Sequence, residues 1–361
     1  MSERPLSQDT LYPSRPTVRV DGAASAKVSE LLLALRVEES EGGLSSLEMT
    51  LSNVARFRDS RVNLAFEDET LIRFGTSIEV YSGDQRTPVE IFRGLVSGME
   101  GRFEGASGPE LVVLAEDAFQ KARLARRTKV HENATIASVA QDLATQLGLS
   151  PVVTGLTTDL GLQFQLNESD LAFLRRLLSL ADGDLQVVGR ELHISPRKDV
   201  RRGSVELVLG SQLARARVTA DLAHQCTAVT TYGWDAAQGQ RVSGRGTGVN
   251  LGPGTGRQGA TLLQEAFGER VEHLGELCAK TDTEAQALAD AAFDARARRF
   301  VRVSATAMGN PTLRVGTHVS LVGMGARFDN TYYITRACHR FDVENGYETD
   351  FEAESAYFGG P

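Results

Sequence analysis

The chain has few of the residues that build metal centres and disulfide frameworks. Its three cysteines, Cys226, Cys278 and Cys338, show no CxxC spacing and are odd in number. Its six histidines are scattered, and none pairs with a cysteine or a glutamate at metal-ligand spacing. We therefore expect buried thiols rather than a disulfide framework, and neither a metal nor a cofactor site.

Long apolar segments are also missing. No run approaches the roughly 18–20 residues that are needed to cross a bilayer. The first 16 residues lack the apolar centre of a secretory signal and contain three prolines, which favours an extended arm, residues 1–16. We expect a protein without a membrane anchor that is made and kept in the cytoplasm.

Catalytic and nucleotide-binding motifs are absent too. The sequence has neither a GxSxG elbow nor an HExxH pair. Residues 239–259 are rich in glycine with GxGxG spacing, but they lack the lysine of a phosphate-binding loop, so we predict a mobile surface loop. The net charge of −8 argues against a nucleic-acid partner. These absences predict a protein that is not an enzyme.

The chain is rich in short strand patterns. Apolar and polar residues alternate in several segments that are separated by turns containing glycine, aspartate or proline. Strands are predicted in the first part of the chain at Thr17–Val20, Leu31–Glu38, Ser46–Leu51, Ile78–Tyr81, Val89–Arg102 and Glu110–Glu116. This spacing favours a small barrel or sandwich.

Two helices interrupt the strands. Thr135 is a good N-cap, an apolar stripe follows it, and Gly148 ends the helix. Ser169 caps a second amphipathic helix, after which Leu185–Val188 and Glu191–Ile194 form a short hairpin. A small α/β insert is therefore predicted between two β regions.

The predicted fold is mainly β (α+β), with two tube-like antiparallel β-barrel domains and the insert between them. The first barrel occupies residues 1–118, the insert residues 119–205 and the second barrel residues 206–361. Within the second barrel, Thr281-x-x-Glu284 is a capping box that opens a helix over 282–299.

A basic cluster opens the insert. Lysines and arginines recur here without an intervening acid, at Lys121, Arg123, Arg126, Arg127 and Lys129. A contact within an assembly, a solvated face and a nucleic-acid patch all fit this pattern, although the lack of aromatic residues weakens the last. We take Arg123, Arg126 and Arg127 as candidate interface residues.

The final strand, Tyr347–Glu354, is divided into two chemical faces. Successive side chains alternate, so Glu348, Asp350, Glu352 and Glu354 share one face opposite an apolar one. Carboxylates this regular and exposed do not acquire the separated pKa values of an acid and a base, so a solvated face is the better interpretation, and a lumen or a subunit interface is the further candidate.

The preceding turn fixes a predicted register. A three-residue loop, Glu344–Gly346, keeps the apolar residues on one face, whereas a two-residue loop does not. It places Arg340 opposite Asp350 and Arg336 opposite Glu354, and it leaves a like-charge pair, Asp342 with Glu348.

Several stretches resemble one family, the phage late control protein D and the related hub portion of contractile injection machines, including VgrG spikes. The resemblance rests on the basic segment followed by Asn133-x-Thr135-Ile136, on Asn167-Glu168-Ser169-Asp170-Leu171, on Tyr232-Gly233-Trp234-Asp235, and on Val315-Gly316 with the closing hairpin. It covers most of the chain after Ala115, and the first hundred residues match by strand pattern only.

This resemblance implies a non-enzymatic baseplate hub, assembled in the bacterial cytoplasm as part of a phage tail or a phage-like injection particle. It implies a homotrimer with two related barrels in each subunit, which adapts a sixfold tail tube to a threefold spike. The implied partners are a tail tube or tube-initiator protein, a separate spike protein, a LysM-type adaptor and a tape-measure protein.

A second interpretation stays open. Thr135-Ile136-x-x-Val139-Ala140 resembles the first helix of a LysM-type peptidoglycan-binding repeat. A full repeat needs a second helix and a closing strand within about 45–50 residues, and here the helix after Ser169 follows only a long spacer. A peptidoglycan-binding or peptidoglycan-cleaving tail module is thus the alternative.

Overall fold

The structure is a computed structural model that describes residues 15–58, 61–82, 88–104 and 108–359. Most of the predicted arm, residues 1–16, lies outside these ranges, as does the side chain of Cys278. Cys226 and Cys338 are buried free thiols, as predicted. None of the described helices is long and apolar enough to cross a membrane.

The first part of the chain is almost entirely β structure. Its elements are β1 Thr17–Val20, β2 Ala23–Ala24, α1 Ala26–Leu31, β3 Leu32–Ser40, β4 Ser46–Ser52, β5 Val54–Arg58, β6 Arg61–Leu64, β7 Ser77–Ser82, β8 Val89–Arg102 and β9 Glu110–Glu116. All six predicted strands of this part are present.

The middle part is mixed. Its elements are α2 Phe119–Leu124, β10 Arg126–His131, α3 Ile136–Leu147, β11 Ser150–Val153, β12 Gln163–Ser169, α4 Asp170–Leu180, β13 Gly183–Val188, β14 Glu191–Pro196 and a 3-10 turn Arg197–Asp199. Thr135 and Ser169 cap α3 and α4 as predicted, and Gly148 ends α3 with a φ of 69°. The two helices pack over the β11–β14–β13 sheet around their own core.

The last part returns to strands. Its elements are β15 Gly203–Val208, β16 Leu213–Ala220, β17 Ala228–Asp235, β18 Gln240–Gly246, β19 Arg257–Gln258, α5 Gly259–Phe267, β20 Val271–Ala279, α6 Asp282–Ala297, β21 Val301–Met308, β22 Thr317–Val322, β23 Asn330–Asp342, β24 Gly346–Ser355 and β25 Tyr357–Phe358. The predicted mainly β fold is confirmed.

One sheet joins the two ends of the chain. Its order is β16-β21-β24-β23-β3-β4-β9-β8-β7-β1-β2, with β22 on the free half of the edge of β23 and β15 beside β22. The seam is the pairing of β23 with β3, from Arg336 opposite Ser40 to Asp342 opposite Ala34. The division into domains at residues 118 and 205 stays a prediction, since strands from both ends of the chain share this sheet.

The sheet contains the same five-stranded unit twice. Unit A has the order β3-β4-β9-β8-β7, and unit B has the order β16-β21-β24-β23-β22, with antiparallel neighbours throughout. The equivalent strands occur in the same order along the chain. Each unit has its own apolar core.

The registers of the two units share two β-bulges. The first strand of each unit carries one extra residue, Leu33 in β3 and Ala214 in β16. The long strand carries another, Ser97 in β8 and Thr335 in β23. Bulges of this kind persist as structural features, so we interpret their repetition as an internal duplication.

Equivalent turns precede β7 and β22. Thr76 Oγ1 accepts from the Arg73 backbone N–H at 3.1 Å, and Thr317 Oγ1 accepts from that of Arg314 at 3.4 Å. Between them stand Gly75 and Gly316, with φ of 82° and 87°, a region that only glycine adopts readily. The sequence signature of the repeat is therefore Arg-x-Gly-Thr.

The glycine-rich segment 239–259 is a loop only in part, because residues 247–256 form neither helix nor strand whereas the residues before them do. Residues Gln240–Gly246 form β18, which pairs with β17 and lies against α6. Gly244 and Gly246 permit this close packing, because a Cβ on either residue would lie 2.3 Å from a helix carbonyl oxygen. Gly244 and Gly246 therefore serve helix-on-strand packing rather than chain freedom.

Candidate functional site

The outward face of the shared sheet carries rows of charged and polar side chains. On β24, Glu348, Asp350 and Glu352 point outward, whereas Tyr347 and Phe351 are buried in the cores. The predicted division of this strand into two faces is confirmed.

The predicted register of the closing hairpin is wrong, because the loop begins and ends one residue earlier than predicted. The loop is Val343–Asn345, and Asp342 pairs with Gly346. The cause is the Asp342 carboxylate, which accepts backbone hydrogen bonds from Glu344 at 2.9 Å and Asn345 at 2.6 Å and so starts the turn there. Gly346 still has the predicted positive φ, 73°. The two faces of the hairpin remain as predicted, because the residue opposite any given position changes by two, and residues two apart on a strand share a face.

The partners of the two predicted arginines change accordingly. Arg340 lies opposite Glu348, at 2.6 Å, and it also reaches Asp350 diagonally at 2.8 Å. Arg336 lies opposite Glu352, at 2.8 Å, rather than opposite Glu354. The predicted repulsive pair of Asp342 with Glu348 does not form.

Glu354 is not exposed like the other three carboxylates of β24. Its side chain, 12% exposed, lies 2.7 Å from Arg197 of the insert and 3.9 Å from Arg298 of α6. Burial raises the pKa of Glu354 above its usual range, and the charge of Arg197 opposes this. The Arg197 guanidinium also stacks 3.9 Å from the centre of the Tyr333 ring. Glu354 therefore fastens the insert to unit B.

Across the seam, Arg336 binds Glu38 of β3 at 2.7 Å. Burial raises the pKa of Glu38, but hydrogen bonds from Arg336 and Arg36 outweigh burial and lower it. Farther across unit B, Thr306 Oγ1 donates to Asp350 at 2.6 Å and accepts from Arg215 Nε at 2.9 Å. The polar rows thus run without a break from unit B into unit A.

The face as a whole is mixed in charge rather than acidic. Arginines and carboxylates stand side by side in the rows that cross β16, β21, β24, β23, β3, β4 and β9, among them Arg36, Arg215, Arg217, Arg302, Arg336, Arg340, Glu38, Glu48, Glu116, Glu348, Asp350 and Glu352. Over unit B the face forms an open groove of about 440 Å³. Charges paired in this way leave little net field for a charged solute to bind.

The basic cluster lies at the start of the insert. Arg123 pairs with Glu116 at the border of the mixed face, Arg127 lies 3.0 Å from Asp170, and Arg126 donates to the Asn167 carbonyl at 3.2 Å. All three arginines have contacts within the chain. Their role as interface residues stays a prediction.

The described residues contain no group of three or more His, Cys, Asp or Glu side chains placed to hold a metal ion. His339 is fully buried, with Nδ1 2.8 Å from the Tyr347 hydroxyl and 3.3 Å from that of Thr349. Burial, and secondarily the charge of Arg314, lowers the pKa of His339 to about 3.

Residues 16–342 match the model of the family described as the Alg8 N-terminal domain. The chain belongs to this family. A search of curated proteins gives no match.

Solved structures share the fold of this chain. The 43 kDa tail protein of prophage MuSo2 from Shewanella oneidensis has a TM-score of 0.67 and 15% identity, over 94% of this chain and 97% of that one. A tail protein from Neisseria meningitidis has a TM-score of 0.66 and 11% identity, over 95% and 99%. A component of the E. coli type VI secretion system has a TM-score of 0.55 and 12% identity, over 95% and 79%.

One strand of the face was not predicted from the sequence. Arg215 and Arg217 lie on β16, for which no strand was predicted. The signal was present, because Arg215, Arg217 and Thr219 alternate with Ala216 and Val218.

The LysM-type resemblance covers only α3 in this Alg8 N-terminal domain. Two strands, β11 and β12, separate α3 from α4, and β11 pairs in parallel with β14.

Proposed function

We propose that this protein is a structural, non-enzymatic hub subunit of a phage tail or phage-like injection machine, which acts as a homotrimer. The observation that carries the proposal is the internal duplication of a five-stranded unit within one sheet. Three copies of a chain with two equivalent units present six equivalent units in a ring. Such a ring meets a sixfold tube at one end and a threefold spike at the other.

The fold supports this role. The structural neighbours are tail proteins and a secretion-system component, and another neighbour comes from a Francisella PdpA-VgrG complex. The corresponding partners of this chain are a tail tube or tube-initiator protein, a spike protein, and a LysM-type adaptor or tape-measure protein. Assembly takes place in the bacterial cytoplasm and ends in the particle.

In this proposal the mixed-charge face of the sheet lines the bore of the ring. Its paired charges keep the wall wetted, and they give a passing polypeptide of either sign no strong binding site. The acidic strand contributes Glu348, Asp350 and Glu352 to this wall, together with Arg336 and Arg340.

Light scattering coupled to size exclusion tests the proposal. We expect a mass three times the 39.0 kDa of one chain, and electron-microscope class averages of a ring with a central opening. A monodisperse monomer at high concentration, also with the cognate spike protein added, would contradict it. Retention on insoluble peptidoglycan, or lysis in a turbidity assay, would instead favour the peptidoglycan module.

A further inference from the structure

The seam inside the chain shows how two units join. After the bulge at Thr335, β23 leaves β22 and pairs with β3 of unit A. The end of the β23–β24 hairpin then covers the core of unit A, where Phe341 is 6% exposed and Tyr347 is 3% exposed.

The strands equivalent to those of the seam have edges without a partner. β8 corresponds to β23, and it pairs with β7 only up to Leu95, before the bulge at Ser97. Within the described residues, the stretch Gly98–Arg102 has no neighbour on that edge. β16 corresponds to β3, and apart from an isolated bridge between its first residue, Leu213, and Leu209, it pairs among the described residues with β21 alone. Each unit thus has one strand edge that lacks the neighbour its equivalent has in the seam.

Exposure at the open halves matches a missing neighbour. Phe103 is the equivalent of Phe341, yet it is 70% exposed, one of the largest values for an apolar side chain in the described part of the chain. Val218 is the equivalent of Val37, which is fully buried, yet it is only partly buried. Exposed apolar groups beside unpaired strand edges mark association surfaces.

We propose that β16 of one copy pairs antiparallel with the end of β8 of the next copy, in the register of the internal seam. This inference rests on the proposed trimer and specifies its contact. Transfer of the β3–β23 register places Thr219 opposite Glu100, Val218 opposite Gly101 and Arg217 opposite Arg102.

The neighbours along that register have complementary chemistry. Phe103 comes opposite Ala216, where it covers the core of unit B as Phe341 covers that of unit A. Arg215 comes opposite Glu104, and Glu100 lies diagonal to Arg217. The internal seam carries the same arrangement, because Arg36 faces Arg340 there and Glu38 lies beside them.

The contact is heterologous, since β16 and β8 lie at different places on the subunit, and a heterologous contact forms a ring when its rotation closes. The internal seam sets the rotation that relates unit A to unit B within one chain. The proposed seam applies the same rotation between unit A of one copy and unit B of the next. Eight strands of each copy, β16 through β8 in the sheet order, then form one continuous wall.

Disulfide trapping tests the register. With Thr219→Cys and Glu100→Cys in one chain, opposed Cα atoms about 4.5–5.5 Å apart permit a disulfide between copies. We expect mild oxidation to give covalent dimers and closed trimers on non-reducing gels. The control chain, Arg215→Cys with Glu100→Cys, places the thiols four residues out of register and should remain uncrosslinked, as should the wild type and each single variant.

A second variant tests the apolar contact. Phe103→Lys should convert the trimer to monomer while the circular dichroism spectrum is unchanged, whereas Phe267→Lys, at a helix residue that is 79% exposed, should leave the trimer intact.

A trimer that survives Phe103→Lys and gives no specific crosslink overturns the strand pairing but keeps the proposed function. Absence of a trimer in the wild type overturns both. Crosslinking of the control pair as strong as that of the test pair overturns the register.

Discussion

Gly244 of β18 lies directly against the backbone of α6, so that a Cβ on this glycine would be 2.3 Å from the Ala285 carbonyl oxygen. No rotamer relieves such a clash, because both partners are main chain. We predict that Gly244→Ala destabilises the protein by about 2 kcal/mol or more, as overpacking against a rigid neighbour does.

Urea denaturation followed by circular dichroism measures this loss. Gly275→Ala is the matched control, because a Cβ at that strand position meets nothing within 4 Å. We expect the control to change the free energy of unfolding by less than about 0.5 kcal/mol. Equal effects of the two substitutions would contradict the packing argument.

Arg298 holds the junction between α6 and the insert. Its guanidinium is 4% exposed and binds the Asp182 carboxylate at 2.5 Å and the Asn250 carbonyl at 3.0 Å. Arg298→Met leaves Asp182 and the neighbouring Glu354 with less compensation, so we predict a loss of about 3 kcal/mol. Arg298→Lys should lose less, and Arg245→Met, at a pair exposed by more than half on both sides, should lose under about 1 kcal/mol.

His339 makes stability depend on pH. Its folded-state pKa of about 3 lies below the unfolded value near 6.5, so the unfolded chain binds the proton more readily between these limits. The contribution of neutral His339 is complete above about pH 6.5 and is lost as the pH falls toward 3, by about 1.4 kcal/mol per unit. The slope of unfolding free energy against pH, measured from pH 7 to 4, should be smaller in His339→Gln. Parallel curves for the two proteins would refute the assignment.

Arg340 contributes mainly through charge. It is 30% exposed and bridges Glu348 and Asp350, so Arg340→Gln should cost about 1 kcal/mol at low salt. Screening shortens the range of the interaction at 1 M salt, and we expect the difference from the wild type to fall there by half or more. A difference independent of salt would show that Arg340 acts through packing instead.

Local signals predicted local structure well. The apolar stripe after Thr135 and the cap at Ser169 placed α3 and α4, since a capped amphipathic helix needs only its own residues and one apolar surface. The alternation in β24 likewise identified both of its faces. The division of the site into outward charges and buried aromatics was therefore accessible from the sequence.

Relations between distant segments were not predicted. The start of the turn depends on the Asp342 carboxylate, which accepts a backbone hydrogen bond inside the loop. The position of the Glu354 side chain depends on its ion pair with Arg197, which comes from the insert. The glycines of β18 appear loop-like until α6 lies on them. The family resemblance implied two related barrels, but which strands correspond became visible only in the hydrogen-bond registers, because a sheet constrains alternation more than it constrains side-chain type.

The extra residues Ser97 and Thr335 give the long strands their bend. A bulge increases the local twist and redirects the strand, and here each one lies where its strand departs from its own unit. In the proposed ring, the extra residue in the long strand of each unit then contributes to the turning angle between neighbouring units, and with it to the diameter of the passage. Deletion of Ser97 or Thr335 would change the width of the passage, while most of the side chains that line it would stay the same.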